Sequence, residues 1–225
     1  MIVAVDGPAG SGKSSVCAKV SEQVGFTYIN TGFLYRAVGV LAREAGIPLA
    51  YSAALSVLID DLVREAEWRH DSATLWFRGR NLTPELGSVA AGNDASLVAK
   101  VPDVRSRLIP LQRRLTEDAP RGALVDGRDI GTVVFPDADL KVYMTASLDE
   151  RARRRLEQLA VAQKNDDSAF ERIKEDIARR DEQDKARGVS PLKQAEDAVL
   201  FDTSEMDVET AVRSLIELMR DRNLI

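Results

Sequence analysis

The residues best suited to chemistry form a glycine-rich run, GPAGSGKS, at positions 7–14. The run fits the pattern G-x-x-x-x-G-K-[ST]. It follows an apolar, β-branched stretch at residues 2–5 that predicts a buried strand, and residues 13–24 predict a helix. A loop in this position turns several backbone N–H groups toward one anion, and the helix amino terminus adds partial positive charge. The run therefore predicts a binding site for a nucleoside triphosphate, in preference to a glycine-rich turn without a ligand.

Two side chains of this loop have separate predicted roles. Lys13 would reach the β- and γ-phosphates, and the Ser14 hydroxyl would be a ligand of Mg²⁺. The residues expected to bind the triphosphate are Gly7, Pro8, Ala9, Gly10, Ser11, Gly12, Lys13, Ser14 and Ser15.

A second cluster, residues 126–129, directly follows a predicted central strand and should lie at the same edge of the sheet as the phosphate loop. Asp126 and Asp129 flank Arg128, a combination that could hold Mg²⁺-bound water, a phosphate and a base or sugar. The alternative interpretation is a solvated turn capped by aspartate.

A third cluster lies in the charged run at residues 179–187. Arg180, Asp184 and Arg187 are spaced by four and three residues, so they share one helix face. This face offers two cations for phosphates and one acceptor for a hydroxyl or amine. A salt-bridged surface helix is the alternative.

A fourth cluster, Arg151 and residues 153–155, begins a predicted helix that leads into a polar segment at residues 162–168. Arginines on a mobile flap beside a phosphate loop suit a lid that closes over the transferring phosphoryl group and excludes water. Solvated helix charge is the alternative. Phosphoryl transfer between two anions needs several guanidinium groups around one point, so the clusters support one another.

Three single residues are less informative. Thr31 can cap the helix that follows it. His70 is expected to be structural or exposed, and Cys17 to be a small buried apolar residue.

Composition limits the class of protein. The chain has 225 residues, 44% hydrophobic and 30% charged, and a net charge of −5. The acidic balance argues against general nucleic-acid binding, and no apolar run approaches the ~20 residues needed to cross a bilayer. One cysteine excludes an intrachain disulfide, and we find no secretory signal. We expect a cytoplasmic protein without nucleic-acid or membrane partners.

The order of predicted elements indicates an α/β fold, a doubly wound five-stranded parallel sheet. Strands are predicted at residues 2–5, 27–29, 123–125, 140–144 and 199–201. Helices are predicted at residues 13–24, 34–45, 53–67, 102–117, 149–163, 169–185 and 208–220. Residues 67–82 interrupt this order with a pattern that predicts a small antiparallel sheet.

Taken together, these motifs resemble the bacterial cytidylate kinases, which are nucleoside monophosphate kinases. The resemblance covers nearly the whole chain, and its most specific part is the run DGRDIGTVVFP at residues 126–136. Other matching motifs are residues 6–15, residues 31–36 and the pattern R-D-x-x-D-x-x-R with the following S-P-L at residues 180–192.

The resemblance implies a reaction: ATP and Mg²⁺ phosphorylate CMP and dCMP by direct in-line transfer, with Lys13, Arg128 and Arg187 as catalytic residues. It implies that Ser96, Arg105 and Asp129 contact cytosine, that Arg36 and Arg128 hold the acceptor phosphate near Tyr35, and that Arg180 and Asp184 meet the pentose. The full set implied to bind CMP is Thr31, Tyr35, Arg36, Ser96, Arg105, Gly127, Arg128, Asp129, Arg180, Asp184 and Arg187. The arginines assigned to the lid are Arg151, Arg154 and Arg155.

The resemblance also implies a three-part molecule, and we expect a monomer. We expect the core at residues 1–30, 86–150 and 186–225, a monophosphate-binding region with the small sheet at 31–85, and the lid with its flanking helices at 151–185. A kinase for another nucleoside monophosphate is the first alternative. A nucleotide-dependent switch is less favoured because we find no Asn-Lys-x-Asp base-reading motif.

Overall fold

The computed structural model describes residues 1–70, 72–117, 119–159 and 167–225. The chain divides into two compact units, the first formed by residues 1–25 and 126–225 and the second by residues 26–125. The domain ranges predicted from the sequence have other bounds and stay a prediction.

The elements of the described residues follow in chain order. The strands are β1 (Ile2–Asp6), β2 (Thr27–Asn30), β3 (Ala66–Arg69), β4 (Thr74–Phe77), β5 (Arg80–Asn81), β6 (Ala123–Gly127), β7 (Leu140–Thr145) and β8 (Val199–Asp202). The helices are α1 (Lys13–Val24), α2 (Gly32–Glu44), α3 (Ala53–Glu65), α4 (Thr83–Leu86), α5 (Val89–Val98), α6 (Pro102–Glu117), α7 (Leu148–Leu159), α8 (Asp167–Lys185) and α9 (Val208–Asp221). A π-helix (Ile130–Val134) follows β6.

A parallel sheet with the strand order β2-β6-β1-β7-β8 confirms the predicted α/β fold. Val3 lies opposite Leu140 in the β1–β7 pair, and Val142 lies opposite Val199 in the β7–β8 pair. Val3, Ala4 and Val5 are fully buried, as expected for a central strand covered on both faces. Continuous apolar runs therefore located the strands correctly.

In the first unit, glycines set both ends of α1. Gly12 precedes the helix at φ 91°, and Gly25 follows it at φ 73°. At both positions the left-handed conformation favours glycine. Cys17 is buried on this helix, as predicted.

In the second unit, the predicted small sheet is confirmed as three antiparallel strands in the order β3-β4-β5. The helix predicted over residues 53–67 ends earlier, because the backbone is already extended at Ala66 and continues directly into β3. The sequence analysis missed α4 and α5. Their small and polar residues carry a weak amphipathic pattern, and the packing of α5 against α2 forms them.

Within the described residues, no helix is long and apolar enough to span a membrane.

Candidate active site

The phosphate loop is a tightly curled backbone between β1 and α1. Gly7, Gly10 and Gly12 have φ values of 151°, 78° and 91°. A Cβ atom at Gly7 would overlap the carbonyl oxygen of Met144, so side chains are excluded there by contact as well as by conformation. The loop therefore has the strand–loop–helix setting that phosphate binding requires.

Lys13 is held inside this loop. Its Nζ donates to the carbonyl oxygens of Gly7 and Pro8, both at 2.7 Å, and to the Ser11 hydroxyl at 3.2 Å. Burial, together with the nearby charge of Arg128, lowers the pKa of Lys13 to about 7. An anion bound beside Lys13 would favour its protonated form.

The Ser14 hydroxyl donates to Asp126 Oδ2 at 2.7 Å. Asp126 lies in β6 and is buried. A hydroxyl and a carboxylate side by side are the oxygen donors that Mg²⁺ takes in sites where substrate phosphates and waters complete its shell. These residues therefore fit the metal that the sequence predicted at Ser14, and Asp126 adds a second donor.

Asp6, the last residue of β1, holds the turn that follows β6. Its two carboxylate oxygens accept hydrogen bonds from the backbone N–H groups of Ile130 at 2.8 Å and Gly131 at 2.7 Å. These N–H groups begin the π-helix, and Asp129 precedes it as a buried residue. Burial raises the pKa of Asp6 to about 6, although the two N–H bonds act in the opposite direction. Asp6 thereby fixes the backbone that presents Arg128 and Asp129.

Asp184 joins two of the predicted phosphate-binding arginines. Arg128 Nε donates to Asp184 Oδ2 at 2.9 Å, and Arg187 pairs with Asp184 Oδ1. Asp184 is buried near the end of α8. The first unit thus brings Lys13, Arg128, Asp184 and Arg187 into one charged cluster, because Arg128 is also close enough to lower the pKa of Lys13.

Other predicted residues of the first unit lie near this cluster along the chain. Gly127 is the buried last residue of β6. Arg180 lies on α8. Burial lowers the pKa of Arg180, and the nearby positive charge of Arg155 lowers it further.

Two of the predicted lid arginines contact the phosphate loop from α7. Arg151 Nη1 donates to the carbonyl oxygen of Ala9 at 3.1 Å. Arg154 Nη1 donates to the carbonyl oxygen of Ser11 at 3.3 Å. Arg155 donates to Gln158 on the same helix at 3.2 Å. Most of the polar segment predicted at residues 162–168 lies outside the described residues, so the lid stays a prediction.

The second unit contains the remaining candidates. Arg105 is buried and its guanidinium lies 5.2 Å from the ring centre of Tyr35, whose hydroxyl accepts from Gln112 Nε2 at 3.4 Å. Arg36 donates to the carbonyl oxygen of Leu86. Here α2 and α6 bring Tyr35 and Arg105 together.

Two further candidates of this unit make local contacts. Ser96 Oγ donates to the carbonyl oxygen of Gly92 at 3.1 Å, one turn earlier in α5. Thr31 is buried at the cap position of α2, but its side chain makes no capping hydrogen bond to that helix. His70, expected to be structural or exposed, lies exposed in the turn after β3.

Sequence reasoning missed three residues of this site. Asp6 could have been found, because a carboxylate ending an apolar strand just before the loop needs buried donors. Asp181 and Thr203 carry no comparable signal, since only the packing of their elements reveals their partners. Asp181 pairs with Arg151, and the Thr203 hydroxyl donates to the carbonyl oxygen of Ser11 at 3.0 Å.

The fold and the glycine loop define an α/β protein of the P-loop class, and comparison with known proteins narrows the class. The family model described as cytidylate kinase matches residues 3–221. The cytidylate kinase of Shouchella clausii is 41% identical over 222 residues, covering 98% of this chain and 96% of that relative. The cytidylate kinase of Stutzerimonas stutzeri is 39% identical over 225 residues, covering 99% and 96%.

A solved structure of an uncharacterized protein from Eubacterium ventriosum has a TM-score of 0.52 and 13% identity, with 98% of both chains covered. At that identity the likeness shows the fold alone. The family match and the relatives show the family: this chain belongs to the cytidylate kinase family, and it is an enzyme.

Proposed function

We propose that the protein transfers the γ-phosphoryl group of ATP to the 5′-phosphate of CMP or dCMP, giving the nucleoside diphosphate and ADP. The observation that carries this proposal is the charged cluster of the first unit, in which the phosphate-loop lysine lies near Arg128 and Asp184 pairs with both Arg128 and Arg187. Membership of the cytidylate kinase family supplies the acceptor class.

The proposed chemistry is a direct in-line displacement. An oxygen of the acceptor phosphate forms a bond to the γ-phosphorus while the bond from that phosphorus to the bridging β–γ oxygen breaks, and ADP leaves with the electron pair. The acceptor is already anionic, so no nucleophilic side chain is needed and catalysis consists of alignment and charge stabilisation. Lys13, Arg128 and Arg187 would stabilise the negative charge on the phosphoryl oxygens.

Ser14 and Asp126 would hold Mg²⁺ together with the nucleotide phosphates. When bound, the metal would neutralise charge on the β- and γ-phosphoryl oxygens. The loop N–H groups and Lys13 bind the same oxygens from the protein side.

Acceptor recognition is proposed for the residues to which the resemblance assigns it. Ser96, Arg105 and Asp129 would read cytosine, whose amine donates while N3 and O2 accept. Arg180 and Asp184 would contact the pentose. The phosphate would be held by Arg36 and Arg128, with Thr31, Tyr35 and Gly127 nearby. The lid role of Arg151, Arg154 and Arg155, the three-part domain division, a monomeric state and a cytoplasmic location belong to the same proposal.

The decisive experiment is an ADP-release assay with CMP, dCMP, UMP and AMP at matched concentrations. We expect CMP and dCMP to be the best acceptors. Activity with another monophosphate alone, or hydrolysis that needs no acceptor, would overturn the proposal.

The Asp129→Ala variant tests base recognition in the same assay. We expect kcat/KM for CMP to fall on the order of 100-fold, because removing a buried partner leaves the cytosine amine unpaired. Activity with UMP, which lacks that amine, should fall much less. Asp137→Ala is the matched control, since Asp137 is an exposed aspartate in a nearby turn. An equal loss for every acceptor would remove Asp129 from base recognition.

A further inference from the structure

The outer side of the phosphate loop is held by two arginines of α7. Arg151 donates from Nη1 to Ala9, and Arg154 from Nη1 to Ser11, in both cases to the backbone carbonyl oxygen. The fit is close: a Cβ atom at Gly10 would lie 3.2 Å from Arg151 Cβ, and one at Gly12 would lie 3.3 Å from Arg154 Nη1.

These contacts bear directly on phosphate binding. Peptide units whose N–H groups turn toward a bound anion turn their carbonyl oxygens to the opposite side, and buried carbonyl oxygens need donors. A guanidinium group offers five donors in one rigid plane, so it can hold several acceptors in a fixed arrangement. Arg151 also binds the carbonyl oxygen of Ala146 through Nε at 3.0 Å, which anchors it to the end of β7.

Arg154 is anchored in the same way. It donates to the Thr203 hydroxyl at 3.0 Å and to the Thr203 carbonyl oxygen at 2.6 Å. Glu150 accepts from Arg154 Nε at 2.7 Å and so fixes the guanidinium plane from its own helix. Arg151 and Arg154 therefore link the phosphate loop to α7, and Arg154 also links it to Thr203, the residue after β8.

Arg151 also contacts α8, through an ion pair with Asp181. Its Nη1 lies 2.5 Å from Asp181 Oδ2, and the two side chains are only 8% and 9% exposed. Asp181 neighbours Arg180 and lies one helical turn before Asp184, which pairs with Arg128 and Arg187. A single guanidinium thus connects a carbonyl of the phosphate loop with the helix that carries the charged cluster.

We propose that Arg151 and Asp181, with Arg154, are positioning residues that hold the phosphate loop in its binding shape and couple nucleotide binding to acceptor binding through α8. This inference rests on the proposed function. A buried ion pair is a poor source of net stability compared with apolar packing, but losing one partner leaves an uncompensated charge. The pair should therefore be tested by its effect on binding and not by stability alone.

The test compares Arg151→Lys, Asp181→Asn and the double variant. Lysine keeps the charge of Arg151 but cannot span three acceptors in one plane. We expect Arg151→Lys to weaken ADP binding, measured by calorimetry without acceptor, on the order of 10- to 100-fold, because a misplaced loop loses several N–H contacts together. Asp181→Asn should raise the KM for CMP more than the Kd for ADP. The double variant should be no worse than the worse single variant.

Arg213→Lys is the control, because Arg213 is an exposed arginine of α9 whose Nη2 donates to the hydroxyl of Thr210 on the same helix. It should leave the ADP affinity and the KM for CMP unchanged. If a buried variant does not fold, the more exposed Arg154→Lys replaces Arg151→Lys in the ADP measurement.

Two results would overturn the inference: folded variants with wild-type ADP affinity, or fully additive losses in the double variant. The ADP measurement needs neither acceptor nor turnover. It can therefore fail while CMP phosphorylation succeeds, and it can succeed when CMP is not the acceptor.

Discussion

At the scale of single residues, the site depends on buried charges whose partners are backbone groups. Lys13 donates to two loop carbonyls, and Asp6 accepts from two N–H groups of the π-helix. Burial penalises the charged form of each, and it moves their pKa values toward neutrality from opposite sides. Such shifted groups cluster at functional sites, where charge must be present without full hydration.

The raised pKa of Asp6 predicts a stability effect with a definite sign. Between about pH 4 and pH 6 the folded protein keeps the Asp6 proton that the unfolded chain has lost, so the contribution of Asp6 to stability falls as pH rises through this range. The free energy of unfolding of the wild type, relative to Asp6→Asn, should fall by up to about 1 kcal/mol per pH unit there and be flat above pH 7.

Urea denaturation of both proteins at pH 4, 5, 6 and 7 measures this difference. Asparagine has one acceptor oxygen and an amide that donates, so a constant offset from the lost N–H bond is also expected. A difference that does not change with pH would contradict the raised pKa.

At the scale of elements, close helix packing shapes the second unit. Gly39 on α2 faces α5, and a Cβ atom there would overlap the Cβ of Asp94. Arg43, one turn later, donates to both carboxylate oxygens of Asp94, at 3.1 and 2.5 Å. The missing side chain at Gly39 is therefore what lets the two helices approach closely enough for this pair.

Gly39→Ala should destabilise the protein. Alanine favours a helix by about 1 kcal/mol over glycine, but overpacking a close contact costs about 1–3 kcal/mol and separates α2 from α5. We expect a net loss of about 1 kcal/mol, and of at most about 2 kcal/mol, in the free energy of unfolding.

Thermal or urea unfolding measures this loss, with Gly87→Ala as the control. Gly87 is exposed, has a helical φ of −71° and leaves a Cβ no neighbour nearer than 3.9 Å. Equal stability of Gly39→Ala and Gly87→Ala would show that the helices adapt at no cost.

Sequence patterns predict some of these elements well and miss others. The five sheet strands and most long helices were predicted nearly to the residue, since apolar runs and glycine boundaries are local signals. The π-helix and α5 were not predicted. The π-helix begins on the Asp6 carboxylate 124 residues away, and α5 packs on α2, so neither has a local cause.

At the scale of the whole molecule, the chain builds two compact units from three sequence segments. The phosphate loop, the Asp126 carboxylate and the charged cluster on α8 all belong to the first unit. A ligand of that unit binds the folded chain and not the unfolded one, so it should stabilise the protein by mass action.

ADP with Mg²⁺ at 100 times its Kd should stabilise the protein by about 2.7 kcal/mol, which for a chain of this size raises Tm by roughly 5–10 °C. Differential scanning calorimetry measures the shift. Lys13→Met should abolish most of it, because its Nζ is the cation inside the loop. An unchanged Tm in the wild type would argue against a nucleotide site in the loop.

The sequence by itself determined the phosphate loop, the α/β sheet and the resemblance to the cytidylate kinases, because glycines, a lysine and apolar runs act through local geometry. The tertiary structure alone decided which charges meet. Asp126 reaches Ser14 across 112 positions, and Arg151 reaches Ala9 across 142. Spacing suggested that the α7 arginines cover a transferring phosphate, whereas packing also sets two of them against the outer carbonyls of the loop. Long-range pairing of buried charges is fixed by how elements pack and by the cost of leaving a polar group without a partner, and neither is a property of a local sequence pattern.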